Sequence, residues 1–250
     1  MKSTDQPYQF RLSVLVIPVS MVLLMWISFW ADTKFKLSLN TLGIYPRSFS
    51  GLKGVFFNPF IHGDLEHLFN NSIPVFLLIA ALLYFYQEIF KPVFILGFLL
   101  TGLLTWLIGR ESYHIGASGI VYFLASFIFF KGIWVKYYRL VALSLLVIVL
   151  YGGMVWYMFP GIKENMSWEG HLSGFLVGFI LSFFFAVKQP QAEPKFDWQK
   201  PDFVAELDPF MKHFDENGQF VNTPKPEEEI KKHFTSSMDV IYDYLGSVRK

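Results

Sequence analysis

Six long apolar stretches dominate this sequence and decide what kind of fold is open to it. They occupy residues 12–30, 67–86, 92–108, 115–130, 138–159 and 171–187. A helix needs about 20 mostly apolar residues to cross the hydrocarbon core of a bilayer, and these stretches reach or approach that length. Because unpaired backbone groups cannot face lipid, such segments cross a membrane as helices. We therefore predict an all-α integral membrane protein with a bundle of six transmembrane helices.

The composition agrees with a membrane protein and excludes several other classes. Hydrophobic residues make up 53% of the chain and charged residues 16%, whereas soluble domains carry about 25% charged residues. The formal net charge of +1 lacks the basic excess of a nucleic-acid-binding protein, so no nucleic acid partner is expected. The absence of cysteine excludes disulfides, thiol nucleophiles and cysteine-ligated zinc.

Lys and Arg residues near the ends of the stretches indicate the orientation, because cytoplasmic loops carry an excess of them. Their slight bias places the N-terminus in the cytoplasm, and six crossings return the C-terminus to the same side. We divide the chain into a cytoplasmic segment 1–10, a six-helix domain 11–188 and a polar, partly helical tail 189–250. The connection 31–66 is long and rather apolar. Either it lies partly in the membrane interface or it is a plain extramembrane loop.

The tail differs sharply in composition, with 12 acidic and 8 basic residues from position 189 onward. Pro226 followed by three glutamates is a helix-start pattern, and apolar residues then recur at helical spacing up to Leu245. This part of the chain forms either a small soluble piece that packs on itself or on the membrane domain, or a docking site for a partner.

Polar residues occur at the beginning of three apolar stretches, where they are costly. His67 and Asn71 begin the second stretch, Ser118 the fourth and His171 the sixth. The second, fourth and sixth helices run in the same direction, so their N-terminal ends face the same side of the membrane. We therefore expect these four residues to form one site.

The predicted lengths place this site below the membrane surface. The fourth and sixth stretches have 16 and 17 residues, or about 24–25 Å at 1.5 Å per residue, against a hydrocarbon core of about 30 Å. Backbone above the two N-termini must therefore line a cavity instead of facing lipid. Water can reach polar residues at the floor of such a cavity.

A serine and a histidine in such a cavity suggest nucleophilic catalysis. A hydroxyl becomes a good nucleophile when a base removes its proton, and histidine is the usual base. Ser118 lies between Gly116 and Gly119 at the start of a predicted helix, where free N–H groups favour a developing negative charge. Ser118 and His171 are therefore the candidate nucleophile and base.

His67 and Asn71 are candidate oxyanion donors, because their spacing of four residues places an imidazole and an amide on one helical face. Each feature taken alone has a simpler explanation. Small residues such as those around Ser118 commonly let membrane helices pack closely. His171 can cap its helix, and His67 with Asn71 can form an interhelical polar pair.

The motifs at these positions resemble those of the rhomboid family of intramembrane serine proteases, in its bacterial six-span form. The resemblance extends over about residues 11–188, although the Trp-Arg pair found in the first loop of many members is missing. Three groups of residues carry it: His67-x-x-x-Asn71, Gly116-x-Ser118-Gly119 with Tyr122, and His171 with Gly174 and Gly178.

The resemblance implies a Ser118–His171 dyad without a carboxylate. The Ser118 backbone N–H and the His67 and Asn71 side chains would bind the oxyanion. Tyr122 would pack against the His171 ring. Gly116 and Gly119 would support the turn at the serine, and Gly174 and Gly178 the close approach of the sixth helix to the fourth.

The implied activity is hydrolysis of peptide bonds in or near transmembrane segments of single-span or multi-span membrane-protein substrates. It needs no cofactor and no metal, and it takes place in the lipid bilayer, expected to be the bacterial cytoplasmic membrane. The alternative is a catalytically silent rhomboid-like protein that binds transmembrane helices. A transporter is disfavoured because no internal repeat is visible, and a zinc protease because His-Glu-x-x-His is absent. His62 lies where some rhomboids have another histidine, and its contribution is left open.

Overall fold

The computed structural model describes residues 8–162 and 166–187, together with 196, 198, 202–204, 208, 210, 213–215 and 217–222. The chain divides into two compact units, Met1–Pro190 and Gln191–Lys250. The predicted helix after Pro226 lies outside the described residues, as do residues 1–7.

Seven α-helices are present in the described part of the first unit: α1 Ser13–Phe35, α2 Gly54–Phe57, α3 Leu65–Phe85, α4 Phe90–Ile108, α5 Ser118–Val135, α6 Tyr138–Tyr151 and α7 Trp168–Phe184. Helix α6 continues as a 3-10 helix, Gly152–Met158. Among the described residues, five helices are long and apolar enough to cross a membrane, namely α1, α3, α4, α5 and α6 with its extension. The chain is thus a mostly helical integral membrane protein. Helix α7 is apolar but has 17 residues, so the sixth crossing stays a prediction.

The predicted boundaries of the fourth helix were wrong at both ends. Residues 115–117 are not helical, and Gly116 has a φ of +103°, which a glycine adopts without strain. At the other end the predicted stretch stops at residue 130, before Lys131, but α5 continues to Val135. Lys131 is buried, and its ammonium donates a hydrogen bond to the Ser182 carbonyl at 3.0 Å. The helix therefore has 18 residues, or about 27 Å. It is closer to the thickness of the hydrocarbon core than the predicted length of the fourth stretch.

Helix α5 lies at the centre of the bundle and packs against α7 with almost no space between the backbones. A Cβ atom built on Gly174 would lie 2.1 Å from the Gly119 carbonyl oxygen. One built on Gly178 would lie 2.3 Å from the Phe123 carbonyl oxygen. Only glycine allows this approach, which is how small residues bring membrane helices together.

The connection between α1 and α3 is folded, since it contains α2 and three short 3-10 helices. Its Val55 packs on Gly102 of α4, where a Cβ would lie 2.8 Å from the valine side chain. Ile44 forms an antiparallel bridge with His114, and the Gly116 N–H donates to the Asn58 carbonyl at 2.9 Å. The connection is therefore hydrogen-bonded to the segment that leads into Ser118.

Candidate active site

Ser118 is presented by a turn that immediately precedes α5. The positive φ of Gly116 reverses the chain, and the helix then begins at Ser118. The first hydrogen bond back to this end of the helix comes from the Val121 N–H to the Ala117 carbonyl. The N–H groups before Val121 have no partner within the helix, and the positive end of the helix dipole favours negative charge at this point.

His171 lies in the first turn of α7, which begins where the Ser167 hydroxyl accepts a hydrogen bond from the Gly170 N–H at 3.2 Å. Its Nε2 lies 2.9 Å from the Ser118 hydroxyl oxygen. Its Nδ1 lies 2.9 Å from the Tyr157 carbonyl oxygen. A carbonyl can only accept, so Nδ1 carries the proton and Nε2 keeps a lone pair that faces the Ser118 hydroxyl.

Tyr122 lies one turn after Ser118 on α5 and stacks on the His171 ring. The two ring centroids are 4.3 Å apart, and the ring planes differ by 12°. The Tyr122 hydroxyl donates a hydrogen bond of 2.6 Å to the Met154 carbonyl. Tyr122 and His171 therefore both bind carbonyl groups of the 3-10 extension of α6.

His67 and Asn71 approach the turn from α3. The His67 imidazole covers Gly116, where a Cβ would lie 2.6 Å from the ring. The same Cβ would lie 3.7 Å from the Asn71 amide nitrogen. That nitrogen donates one hydrogen bond to the His67 carbonyl at 3.0 Å. Since an amide nitrogen carries two hydrogens, one more donor is left at this position.

His62 contacts His67, its neighbour at the start of α3. The His62 and His67 rings meet edge to face with centroids 4.9 Å apart. The His62 side chain is buried, and neither ring nitrogen has a well-formed hydrogen bond among the described residues. This burial, together with the neighbouring imidazole of His67, lowers the pKa of His62 to about 3. His62 is therefore neutral at physiological pH.

A small cavity of about 20 Å³ lies beside Ser118. It provides room for one or two water molecules, since a cavity needs about 10–15 Å³ to hold a single water. The Thr101 hydroxyl has no hydrogen-bond partner among the described residues and belongs to the lining. Polar groups also reach the cavity from Ser118, His114 and Ser167. The space beside the hydroxyl is therefore partly polar and large enough for water.

Four polar residues close to the pair escaped the sequence analysis as site residues. Arg110 and His114 precede Ser118, and Ser167 and Glu169 precede His171. Ser167 before an apolar run is an N-cap signature that could have been used. The sequence carries no sign that Glu169 is 1% exposed, because its neighbours in the chain are typical of a loop.

A metal centre has no support in the part of the chain that the structure describes. Residues 8–162 and 166–187 and the described residues beyond them contain no group of three or more His, Asp or Glu side chains that could hold an ion.

Comparison with known proteins gives a family and several relatives. The sequence model of the Rhomboid domain matches residues 50–188, which is more than half of the chain. Proteins of Mycobacterium tuberculosis and Mycobacterium bovis, both named as uncharacterized, are 32% identical over 166 residues, covering 62% of this chain and 68% of each relative. An uncharacterized protein of Mycobacterium leprae is 30% identical over 158 residues, covering 58% of this chain and 61% of its own length.

Proposed function

Because the chain belongs to the rhomboid family, we propose that it is an intramembrane serine endopeptidase in which Ser118 and His171 form the catalytic dyad. The observation that supports this most is the 2.9 Å hydrogen bond between the Ser118 hydroxyl and His171 Nε2, two groups separated by 53 positions in the chain. A helix-packing serine or a capping histidine would not need this pairing.

The first half of the reaction forms an acyl-enzyme. As the Ser118 oxygen attacks the scissile carbonyl carbon, its proton passes to His171 Nε2. The tetrahedral intermediate then breaks its C–N bond, and His171 returns the proton to the leaving amine. An ester between Ser118 and the substrate remains. Water then attacks this ester with His171 again as base, which releases the new carboxyl group and regenerates the serine.

The oxyanion would be stabilised by donors that converge on the Ser118 turn. The Ser118 N–H is available at the start of α5, and the second Asn71 amide hydrogen and the His67 imidazole approach from α3. Donors of this kind act on charge that develops only in the transition state, so each contributes to turnover more than to substrate binding.

The Tyr157 carbonyl takes the role that a carboxylate has in a catalytic triad. It accepts from His171 Nδ1–H and so keeps the lone pair at Nε2. It also stabilises the imidazolium that forms when His171 takes the serine proton. Because a backbone carbonyl holds the histidine ring, the dyad needs no acidic side chain at this position.

Membrane placement follows the same proposal. Helix α7 has 17 residues, about 25 Å, and the close α5–α7 backbone contact brings it to the depth of α5. We take it as the sixth crossing, with both chain ends in the cytoplasm and residues 189–250 as a soluble tail. The substrates would be single-span or multi-span proteins of the same bilayer. Their helices must unwind locally before a carbonyl becomes accessible to attack.

The proposal is tested with detergent-purified protein, a model single-span substrate and a serine-directed fluorophosphonate probe with peptide mapping. We expect cleavage insensitive to EDTA and a label on Ser118. Ser118→Ala and His171→Ala should each lose at least about 10⁴-fold in rate. Ser173→Ala is the matched control, because this buried hydroxyl on α7 has no hydrogen-bond partner among the described residues.

The alternative, a catalytically silent rhomboid-like protein that binds transmembrane helices, makes the opposite prediction. A helix-binding protein without activity would leave the probe unreacted and the substrate intact while still retaining the substrate on a column. Undiminished cleavage in either dyad variant would show that another group performs the chemistry.

A further inference from the structure

An ion pair joins the segment that leads into Ser118 to the first turn of α7, just before His171. Glu169 Oε1 lies 3.8 Å from the Arg110 guanidinium and accepts the Arg110 backbone N–H at 3.2 Å. The Arg110 guanidinium also donates to the Met166 carbonyl at 2.6 Å. The Glu169 side chain is 1% exposed, whereas that of Arg110 is 47% exposed. The carboxylate is therefore almost fully buried, and its cationic partner lies at the surface.

A second pair of residues, His114 and Ser167, joins the same two parts of the chain. His114 Nε2 lies 3.0 Å from the Arg110 carbonyl, and His114 Nδ1 lies 2.5 Å from the Ser167 hydroxyl oxygen. The carbonyl can only accept, so Nε2 carries the proton and Nδ1 accepts from the Ser167 O–H. The Ser167 oxygen in turn accepts from the Gly170 N–H at 3.2 Å. Every hydrogen in this chain of bonds has a partner.

These four residues, Arg110, His114, Ser167 and Glu169, are called the loop clasp below. Two of them lie four and eight residues before Ser118, and the other two lie two and four residues before His171. The hydrogen bonds of the loop clasp run between the two segments, from Arg110 to Glu169 and from His114 to Ser167. A change in its length would therefore move the N-termini of α5 and α7 relative to each other.

The chemistry of Glu169 argues against a role in folding alone. A buried carboxylate loses its hydration and recovers only part of the lost free energy from an ion pair. Its second oxygen, Oε2, has no hydrogen-bond partner among the described residues. An apolar residue would pack here at lower cost, so the ion pair is better explained by the definite geometry that it imposes.

We propose that the loop clasp sets the distance and angle between the Ser118 hydroxyl and His171 Nε2, with Glu169 and Arg110 as positioning residues. This inference rests on the proposed function of the dyad. Neither residue needs to touch the substrate. Since a displacement of about 1 Å between reacting groups can reduce a rate about 10²-fold, small changes in the loop clasp should be visible in turnover.

The test compares Arg110→Gln, Glu169→Gln and the double variant in the full-length, detergent-purified protein. We measure the rate and the end point of fluorophosphonate labelling at Ser118, and kcat and KM for a single-span substrate. Arg110→Gln leaves a buried carboxylate without its cation and should lower kcat and the labelling rate about 10²-fold. Glu169→Gln keeps an acceptor oxygen for the Arg110 N–H and should lower them about 10-fold.

The double variant is the most informative of the three. Two neutral amides can hydrogen-bond across the same gap, so we expect a loss of about 10-fold, far less than the product of the single losses. KM should stay unchanged, and the labelling end point should equal that of the wild type. Glu111→Gln is the matched control, because this neighbouring carboxylate forms only a surface pair with Arg47 at 4.0 Å and is 79% exposed.

The outcomes separate the inference from the proposed function. A wild-type protein that neither cleaves nor labels overturns both together. An active wild type whose Arg110 and Glu169 variants keep full rates overturns the inference alone. Variants that lower only the labelling end point, with an unchanged rate for the remaining active fraction, assign the loop clasp to folding and likewise overturn it. Rate losses at a constant end point and constant KM support it.

Discussion

The two ends of the α5–α7 pair are held together by different kinds of contact. At one end, the Lys131 ammonium on α5 donates directly to the Ser182 carbonyl of α7, and the Trp134 indole N–H donates to the Ser182 hydroxyl at 3.2 Å. At the other end, the Ser118–His171 bond at 2.9 Å and the Tyr122–His171 stack link the two helices, and residues just outside them add the His114–Ser167 bond. Both ends join helix to helix, and the Ser118 end is joined in addition by the segments that precede α5 and α7.

The contacts of this helix pair therefore have two different roles, one in stability and one in the geometry of the dyad. The Lys131 end and the glycine contacts of Gly174 and Gly178 fix the register of α7 on α5, because backbone atoms meet at these glycines with no space to adjust. The Ser118 end has a cavity of about 20 Å³ and hydrogen bonds from the segments that precede α5 and α7, so its geometry depends on those segments as well. Substitutions at the Lys131 end should affect stability, and those at the Ser118 end should affect rate.

The largest effect is expected at the glycine contact beside Ser118, because this contact affects both the register of α7 and the dyad. Gly174→Ala places a methyl group 2.1 Å from the Gly119 carbonyl oxygen and so pushes α7 away from Ser118. We expect a loss of about 2–3 kcal/mol in the free energy of unfolding and a fall of about 10²-fold or more in the rate per active molecule. Unfolding in detergent and active-site labelling measure the two quantities separately.

Gly178→Ala is the matched variant for Gly174→Ala. It makes a similar clash with the Phe123 carbonyl, but one turn farther from His171. It should lower stability to the same extent and the rate by a smaller factor than Gly174→Ala. Equal rate losses in the two variants would show that α7 shifts as a rigid rod, and the division between the two roles would then be wrong.

A smaller effect is expected for Asn71→Ala at the Ser118 end. Removing one oxyanion donor among several should lower turnover by about 10²-fold or less. The lost hydrogen bond to the His67 carbonyl should reduce stability by about 1 kcal/mol. Ser72→Ala is the neighbouring control, because this hydroxyl accepts from the Trp26 indole and donates to the Leu68 carbonyl. It should reduce stability by a similar amount with turnover unchanged. An unchanged rate in Asn71→Ala would make that residue structural.

The smallest effect is expected at the Lys131 end. Ser182→Ala removes the acceptor for the Trp134 indole and the donor to the Phe179 carbonyl. We expect a loss of about 1 kcal/mol in stability and no change in the cleavage rate per labelled molecule. A clear rate loss in Ser182→Ala would mean that the Lys131 end also controls the geometry of the dyad, so the two ends would not have separate roles.

The helical membrane fold could be predicted because its signal is strong and local. Runs of apolar residues require helices whatever the tertiary contacts are, and five of the predicted crossings are found as long apolar helices. Helix ends were less predictable where tertiary contacts decide them. The predicted fourth stretch stops before Lys131, and only the Ser182 carbonyl on a distant helix explains why the helix continues.

Chain direction predicts that Ser118 and His171 lie at the same side of the membrane, since helices two apart run the same way, and the chemistry of the two residues and the family motifs predict their pairing. Sequence offered no comparable rule for the loop clasp. Arg110 lies in a connection and Glu169 in the first turn of α7, and neither position belongs to a recognisable motif. Their partnership depends on how the connection before α5 packs on α7, which is a tertiary property. The Tyr157 carbonyl was equally invisible, because every residue carries such a group.

The 3-10 extension of α6 has a consequence for timing. Among the described spans, α6 with this extension is the least enclosed by other helices, yet its carbonyls hold both the His171 ring and the Tyr122 hydroxyl. A movement of Gly152–Met158 away from α7 would break the His171–Tyr157 hydrogen bond and so free the imidazole to rotate. In the proposed protease, a substrate helix that entered past this segment would therefore be cut only after that hydrogen bond had formed again.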